Sequence, residues 1–423
     1  MKNIFSLILA FCLSINLYSQ TSEDYLKLGN EKIRLKNYQG AISDFDKAIG
    51  ITPDFVIAYT NRGIAKKQLK NYQGAVSDYS KAIEIDSQYA LAYYNRGILN
   101  YQLENYQDAM RDYDKAIVIN PKYVEAYCNR GALRGYLKDY RGEISDYNMA
   151  LEINPEFVVA YNNRGVAKKQ LEDYQGAIED YNKAIEFDPK YANAYYNRGI
   201  AEVKLKNYRN AIADFNKALE DNPKSEEAYF KSYKPINDPV EYNKSEAYFE
   251  RGVAKLELKD YVGALSDFNK ALAIKPNYAN AYSNRGFVKL QLGDYQGSIL
   301  DCNKSVQINP KLSESYYNKG IAKRKLENYN GAISDYNKAI EINPKYAEAY
   351  NNRGFIKRIL KDYTGAISDF NKAIEINSNS ASYYNRGVAK IALGRKDDGC
   401  LDIRKAIELG YEQANDIFKK HCN

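Results

Sequence analysis

Glycine recurs in this chain at an interval of 34 residues, and this interval constrains the fold more than any other feature. A period of this length indicates tandem structural modules that bury a common core by stacking, so the usual division of 423 residues into two or three domains does not apply. The interval is kept except at two junctions by eleven glycines, which are Gly29, Gly63, Gly97, Gly131, Gly165, Gly199, Gly252, Gly286, Gly320, Gly354 and Gly387.

Each module has the pattern of two helices joined by a short turn. In the second module, Ala75, Tyr79 and Ala82 are spaced by four and three residues, which places them on one face of a helix. The pattern predicts a first helix over residues 56–69, a turn at "KNYQG" and a second helix over residues 75–84. A glycine inside a helix costs up to about 1 kcal/mol relative to alanine. We therefore expect the two helices to approach each other closely at the repeated glycine.

At these residues the chain resembles the tetratricopeptide repeat family. The family signature is an aromatic residue, Leu-Gly, an aromatic residue, Ala, Phe, Ala and Pro, and its spacing is matched over roughly residues 22–410. Three positions depart from it, because tyrosine replaces tryptophan, arginine replaces the leucine in nine modules, and lysine usually stands three residues after the glycine. The resemblance implies an all-α fold, a right-handed alpha-solenoid (superhelix) of stacked 34-residue helix-turn-helix repeats, whose first helices line a concave face.

The repeats divide the chain into five predicted segments. Residues 1–20 form a signal peptide, 21–230 contain repeats 1 to 6, 231–247 form an inserted loop, 248–410 contain repeats 7 to 11, and 411–423 form a C-terminal capping helix. The insertion lengthens the glycine spacing from 34 to 53 residues between Gly199 and Gly252. It is either a hinge or a surface excursion. Because loops tolerate insertions, we favour the excursion.

The N-terminal sequence "MKNIFSLILAFCLSINLYSQ" is typical of a secretory signal peptide. Its apolar run over residues 4–17 is shorter than the roughly 20 residues that span a bilayer. We therefore expect an exported protein, periplasmic or secreted. Phe11 occupies a position that normally requires a small residue, which argues against a lipid anchor at Cys12. Export exposes cysteines to oxidation, and we predict a disulfide between Cys400 and Cys422.

An arginine precedes the glycine in nine repeats, and an aspartate occupies one position of the second helix in all eleven. Because an unpaired buried charge is costly, we predict structural ion pairs. The pairing lies either within a repeat, as Arg62 with Asp78, or across a junction, as Asp44 with Arg62. The first repeat carries Leu28 and has no earlier aspartate, which mildly favours the second register. A periodic pair indicates architecture rather than catalysis. The predicted pairs include Arg62, Asp78, Arg96, Asp112, Arg164, Asp180, Arg353 and Asp369.

An asparagine stands two residues before the glycine in nine repeats, and we call these residues the asparagine row. It is similar to the asparagine ladder of the solenoid in O-linked N-acetylglucosamine transferases, which implies a groove for extended polypeptide. An amide can donate to and accept from a peptide backbone. It can equally bind neighbouring helices, and both interpretations remain open. The asparagine row consists of Asn61, Asn95, Asn129, Asn163, Asn197, Asn284, Asn318, Asn352 and Asn385.

The residue before each asparagine varies along the chain, as Thr60, Tyr94 and Cys128 illustrate, and is a candidate source of selectivity. The family's carboxylate clamp needs lysines and arginines on the groove face. Here the asparagine row is followed three residues later mainly by aliphatic residues, so we do not expect a clamp.

The sequence predicts a protein without catalytic residues, metal or cofactor. Its single histidine, His421, excludes most histidine-based acid, base and zinc chemistry, and no Gly-rich phosphate loop or HExxH motif occurs. A net charge of +7 without a basic stripe argues against nucleic acid as a partner. We predict a non-enzymatic scaffold that binds extended polypeptide or partner domains on its concave face. The alternatives are a structural component of a cell-envelope assembly, or a carbohydrate-binding or enzymatic protein. The oligomeric state stays open.

Overall fold

A computed structural model describes residues 20–220 and 243–422 of the protein. The described chain is helical and contains no strand. Apart from Gln20, the predicted signal peptide lies outside the described residues, as do positions 231–242 of the predicted loop. The chain forms two compact units, with described residues 20–201 in unit 1 and residues 202–220 and 243–422 in unit 2.

The described residues form 23 helices, numbered here in chain order. The first eleven are α1 (Ser22–Arg34), α2 (Tyr38–Ile51), α3 (Val56–Gln68), α4 (Tyr72–Ile85), α5 (Ala90–Gln102), α6 (Tyr106–Ile119), α7 (Val124–Tyr136), α8 (Tyr140–Ile153), α9 (Val158–Gln170), α10 (Tyr174–Phe187) and α11 (Ala192–Lys204). The border between the units falls within α11.

The remaining helices belong to unit 2. They are α12 (Tyr208–Leu219), α13 (Lys244–Glu257), α14 (Tyr261–Ile274), α15 (Ala279–Gln291), α16 (Tyr295–Ile308), α17 (Ser313–Lys325), α18 (Tyr329–Ile342), α19 (Ala347–Ile359), α20 (Tyr363–Ile376), α21 (Ser380–Ala392), α22 (Lys396–Glu408) and α23 (Ala414–His421). Helix α13 begins at Lys244, so the last residues of the predicted inserted loop are helical.

Consecutive helices pack as hairpins within each unit, from α1 with α2 to α9 with α10 in unit 1, and from α13 with α14 to α21 with α22 in unit 2. Within each unit, each hairpin contacts the next, and successive odd-numbered helices also contact one another. The predicted all-α fold of stacked helical hairpins is confirmed. In each unit, we call the surface formed by the odd-numbered helices the odd-helix face of that unit.

The repeated glycine is required because an aromatic ring of the second helix lies against it. A Cβ atom at Gly63 would lie 2.6 Å from Cε1 of Tyr79, and one at Gly165 would lie 2.6 Å from Cε1 of Tyr181. Both tyrosines are fully buried. The predicted close approach is confirmed, and its main partner is the ring rather than the alanines of the same face.

A cap and a left-handed residue fix the turn between the two helices. The side chain of Asn71 accepts a hydrogen bond from the backbone N–H of Gly74 at 3.0 Å, which satisfies a free donor at the start of α4. Lys70, just before the cap, has φ of 60°. This cap starts the second helix at Tyr72, three residues before the predicted start. The same turn recurs in other repeats, so the hairpins present their odd-numbered helices in the same way.

The C-terminal helix α23 closes the last hairpin of unit 2. Ala414 is buried together with Ile403 and Ala406 of α22. Cys400 and Cys422 form a disulfide with Cα atoms 5.5 Å apart.

Candidate functional site

A buried aspartate in each repeat receives cations from the first helix. Asp78 is 3% exposed, and its Oδ2 and Oδ1 accept hydrogen bonds from Nε and Nη2 of Arg62 at 3.0 and 2.6 Å. Nζ of Lys66 lies 2.8 Å from Oδ2. Other arginine–aspartate pairs with the same geometry are Arg96–Asp112, Arg130–Asp146, Arg164–Asp180, Arg251–Asp267, Arg285–Asp301, Arg353–Asp369 and Arg386–Asp402.

These pairs lie within a repeat, so the cross-junction register that the first repeat favoured is wrong. Asp44 does not pair with Arg62. It lies 2.6 Å from Nζ of Lys32, the counterpart of Lys66 in the first repeat, which pairs with the aspartate alone because Leu28 supplies no guanidinium. A bidentate pair within the hairpin is geometrically favourable because the guanidinium fork matches a carboxylate.

The third guanidinium nitrogen joins each repeat to the one before it. Nη1 of Arg62 donates to Oδ1 of Asp46 at 2.6 Å, and Nη1 of Arg164 donates to Oδ1 of Asn148 at 2.7 Å. The acceptor stands two residues after the buried aspartate of the preceding repeat. Each arginine therefore ties one hairpin internally and to its neighbour. Sequence reasoning missed this acceptor, although an aspartate or asparagine recurs at its position.

Arg62 illustrates the electrostatics of this network. Burial lowers the pKa of Arg62, but the hydrogen bond and the charge of Asp78 outweigh burial and raise it overall. The guanidinium also lies 5.2 Å from the ring centroid of Tyr59, within the range of a cation–π contact. A permanently protonated group held by a carboxylate suits a structural role.

A cleft of about 440 Å³ opens where one repeat departs from this network. Ser80 accepts the hydrogen bond from Arg96 that a longer aspartate or asparagine accepts elsewhere. Asn100 replaces the lysine and donates to Oδ2 of Asp112 at 3.0 Å. Shorter side chains at two positions leave the space unfilled, and Arg111 and Lys115 line it.

The asparagine row lies between successive odd-numbered helices. Nδ2 of Asn129 donates to the hydroxyl of Tyr94 at 3.0 Å, and Nδ2 of Asn197 donates to Oδ1 of Asn162 at 3.0 Å. Asn61, Asn284 and Asn352 are half-buried. The contacts favour the interpretation that these amides bind neighbouring helices. Six members are less than a tenth exposed, namely Asn95, Asn129, Asn163, Asn197, Asn318 and Asn385.

The residues that precede the asparagines are also poorly placed for selectivity. Thr60, Cys128 and Asn162 are at most 1% exposed, because they face the neighbouring odd-numbered helix. Tyr94 packs against Tyr123 with tilted rings whose centroids are 4.8 Å apart. Whether the residue before the asparagine is a tyrosine or an asparagine, its side-chain oxygen accepts a hydrogen bond from the asparagine of the next repeat. The variable residues before the asparagines therefore contact neighbouring helices rather than a ligand.

A different position of the odd-numbered helices remains accessible and varies in chemistry. It lies four residues after the repeated glycine, and we call these residues the variable row. Most of its members are half-buried. In unit 1 the variable row is Ile33, Lys67, Tyr101, Gly135 and Lys169, and in unit 2 it is Val203, Leu256, Leu290, Arg324, Arg358 and Ile391.

One repeat carries a buried acid beside the variable row. Glu143 replaces the alanine that occupies this position in most repeats, and it is 5% exposed. A Cβ atom at Gly135 would lie 2.4 Å from Oε2 of Glu143, so the missing side chain makes room for the carboxyl group. Burial, followed by the charge of Asp139, raises the pKa of Glu143 to about 8. The sequence analysis did not identify this pair, although repeat 4 carries unusual residues at both positions, Gly135 and Glu143.

The described residues hold no group of three potential metal ligands, and none of their helices is long and apolar enough to cross a membrane. The free cysteines Cys128 and Cys302 are buried. On the odd-helix face, the asparagine row is thus largely enclosed between helices. The accessible side chains of this candidate binding surface belong to the variable row.

Comparison with known families agrees with this architecture. Tetratricopeptide repeat models match residues 25–55, 90–123, 192–225, 279–312, 313–346 and 347–380, and a TPR repeat model matches 65–104, 167–205 and 247–293. The chain belongs to the tetratricopeptide repeat family. No curated protein shows significant similarity to this tetratricopeptide repeat chain over its length.

One similar solved structure shows the same fold, and others are similar over part of the chain. The crystal structure of the APC/C hetero-tetramer Cut9-Hcn1 is 14% identical, with 95% of this chain and 96% of that chain covered at a TM-score of 0.50. A tetratricopeptide repeat protein from Parabacteroides merdae is 21% identical, with coverages of 64% and 99% and a TM-score of 0.43. YrrB, described as a TPR protein with an unusual peptide-binding site, is 23% identical, with coverages of 48% and 95% and a TM-score of 0.40. These similarities concern the fold alone.

Proposed function

We propose that this tetratricopeptide repeat protein is an exported, non-catalytic scaffold that binds extended polypeptide on the concave surface formed by its odd-numbered helices. The observation that carries the proposal is the contrast between the rows of that face. The asparagine row and the residues before it are engaged between helices, whereas the variable row is accessible and differs from repeat to repeat. Side chains that differ from repeat to repeat on the same backbone can distinguish one partner from another.

Apolar side chains beside the variable row supply contact area. Ile64 and Ile98 follow the asparagines by three residues and are half-buried, so their outer surfaces are available to a ligand. An extended peptide that covers such side chains gains about 25 cal/mol for each Å² of apolar surface removed from water. Contacts repeated along one unit add up without any deep pocket.

Substitution of these two isoleucines tests the proposal. Ile64→Glu combined with Ile98→Glu should abolish retention of peptides selected by the wild-type protein from a displayed library. Val118→Glu with Met149→Glu is the matched control, because both residues lie in unit 1 on even-numbered helices and are exposed by 74% and 37%. Circular dichroism establishes that both variants are folded. Equal retention by the two variants would place binding elsewhere.

A second candidate function is contact with an assembly through the edge at which the turns lie. The observation that favours it is a series of exposed leucines that end the odd-numbered helices. They include Leu69 at 45%, Leu103 at 37%, Leu137 at 51%, Leu171 at 43%, Leu326 at 47% and Leu360 at 47% exposure. Leucine-to-serine substitutions there should disrupt an envelope assembly and leave peptide retention unchanged.

Export is tested on the protein from its native cells. Cell fractionation should place the chain outside the cytoplasm, with a new N-terminus near residue 20. Nonreducing peptide mass spectrometry should recover Cys400 and Cys422 in one linked fragment. A cytoplasmic protein that retains Met1 and two free thiols would refute this part of the proposal.

A further inference from the structure

Two arginines of the variable row hold one aromatic ring between them on the odd-helix face of unit 2. The guanidinium carbon of Arg324, on α17, lies 5.5 Å from the ring centroid of Phe355, and that of Arg358, on α19, lies 5.0 Å from it. Both arginines are half-buried. The two cations are thus held close together by a shared cation–π platform.

Neither guanidinium has an acid to neutralise it. Within the described residues, Arg324 and Arg358 form no ion pair, and Nε of each is buried without a hydrogen-bond acceptor. The neighbouring aspartates are already engaged, because Asp335 binds Lys319 and Lys323, and Asp369 binds Lys357 as well as its arginine.

The acids of the same helices lie too far along the axis to serve. Glu314 and Glu348 each stand ten residues before one of these arginines, which corresponds to roughly 15 Å along an α-helix. Burial raises the pKa of Tyr336, whereas the positive charge of Arg324 and its donor contact with the hydroxyl group oppose that rise, so this guanidinium lies beside the buried ring. Each Nε is closed to solvent, so an external oxyanion would meet the Nη groups of these half-buried arginines and supply the negative charge that the neighbouring residues do not.

We propose that Arg324, Arg358 and Phe355 form a binding site for a carboxylate side chain of an acidic polypeptide segment. The inference rests on the proposed function and names the chemistry of the ligand. Each guanidinium offers a planar fork to a carboxylate, while Phe355 and the half-buried Ile321 accept the apolar side chains next to it. Nucleic acid is a poorer match, because it requires a track of cations and the variable row of unit 2 is otherwise aliphatic.

Fluorescence anisotropy tests this site with three short labelled peptides in the same full-length protein. One alternates glutamate with leucine, the second has glutamine in place of glutamate, and the third carries phosphoserine in its place. We expect the glutamate peptide to bind more tightly than the glutamine peptide. Arg324→Gln with Arg358→Gln should weaken binding of the glutamate peptide by at least about tenfold, since charge-assisted hydrogen bonds are lost.

Lys67→Gln with Lys169→Gln is the control, because it removes the same two charges from the variable row of unit 1. It should leave the affinity of the glutamate peptide nearly unchanged. Equal losses in the two variants would reduce the effect to net charge and overturn the proposal. So would equal binding of the glutamate and glutamine peptides, or binding of the phosphoserine peptide alone. Circular dichroism spectra that match the wild type establish that the variants are folded.

The same proteins separate this inference from the proposed function. If the wild type retains library-selected peptides and the double arginine variant retains all of them equally well, the scaffold function stands and the carboxylate site fails. If the wild type retains none, the proposed function itself fails. Selected peptides enriched in glutamate or aspartate, and lost only from the arginine variant, would support both.

Discussion

Repeat 4 and repeat 10 share a backbone and an ion-pair network, yet they place opposite charges beside the variable row. In repeat 4, Gly135 leaves a gap that the buried carboxyl group of Glu143 fills. In repeat 10, Arg358 occupies the same position, and the residue facing it on the second helix is the small Ala366. The comparison shows that the fold tolerates both, because the hairpin is held by other residues.

The difference between the two repeats also concerns what each side chain can do. Glu143 is enclosed and has a pKa near 8, so it is an internal acid whose charge state depends on pH. Arg358 is half-buried against Phe355 and forms no ion pair among the described residues, so it is a cation whose charge no neighbouring acid neutralises.

Loss of the shared aspartate should have the largest effect in both repeats. Asp146→Asn and Asp369→Asn each remove the buried carboxylate that two half-buried cations share, and we expect losses of up to roughly 3–5 kcal/mol in the free energy of unfolding. Urea unfolding followed by circular dichroism measures both. A much smaller loss in repeat 4 would show that Glu143 can take over as acceptor for Arg130 and Arg134, and the two networks would then not be equivalent.

Removal of the buried acid should stabilise repeat 4 in a pH-dependent manner. The pKa of Glu143 rises from 4.5 to about 8 in the folded protein, so the folded state keeps a proton that the unfolded state releases. Stability therefore falls as pH rises from 4.5 to 8, by up to about 1.4 kcal/mol per pH unit. Glu143→Ala should remove this slope and gain on the order of a few kcal/mol at pH 8, with little gain at pH 4.

Glu152→Ala is the control for that experiment, because Glu152 lies on the same helix and is exposed. It should leave the dependence of unfolding free energy on pH unchanged. A Glu143→Ala variant whose pH profile parallels the wild type would contradict the assignment of a proton to the folded state.

The gap at Gly135 should be coupled to Glu143. Gly135→Ala in the wild type places a methyl group against the carboxyl group and should cost about 1–3 kcal/mol. In the Glu143→Ala background the same change should gain up to about 1 kcal/mol, since alanine favours the helix. A double-mutant cycle measures the coupling directly. Additive effects would mean that the two departures in repeat 4 are independent.

The smallest change in stability is expected at the arginines of the variable row. Arg324→Gln with Arg358→Gln breaks no ion pair and mainly loses contacts with Phe355. The free energy of unfolding should therefore change by about 1 kcal/mol or less. Arg353→Gln, five residues before Arg358 on α19, should cost several times more because it breaks the pair with Asp369. Comparable losses for the two variants would show that the arginines of the variable row are structural.

The repeated features of this protein were predictable because they recur eleven times. The glycine interval predicted the hairpins, and the face of Ala75, Tyr79 and Ala82 predicted the core of the second helix. The arginine and aspartate were recognised as partners, but the register remained open, since residues 16 apart within a repeat and 18 apart across a junction are equally plausible without coordinates. The asparagine row is the clearest case of this kind, because its spacing agreed equally well with amides that bind a peptide and with amides that bind neighbouring helices.

Features of single repeats were not predictable in the same way. Gly135 and Glu143 are two isolated substitutions in the sequence, and only packing shows that one fills the space left by the other. Likewise, Arg324 and Arg358 lie one repeat apart, and only the approach of α17 to α19 places both against Phe355.

The amino-acid sequence alone therefore determined the period, the helical hairpin and the buried face of its second helix, because each of these depends on contacts that are local or repeated. The tertiary structure alone decided which charges are paired, which amides are enclosed and which cations are left without an acid. The physical reason is that burial and hydrogen-bond partners depend on the neighbouring hairpin. The spacing of residues within one repeat does not give the distance or the orientation of that neighbour.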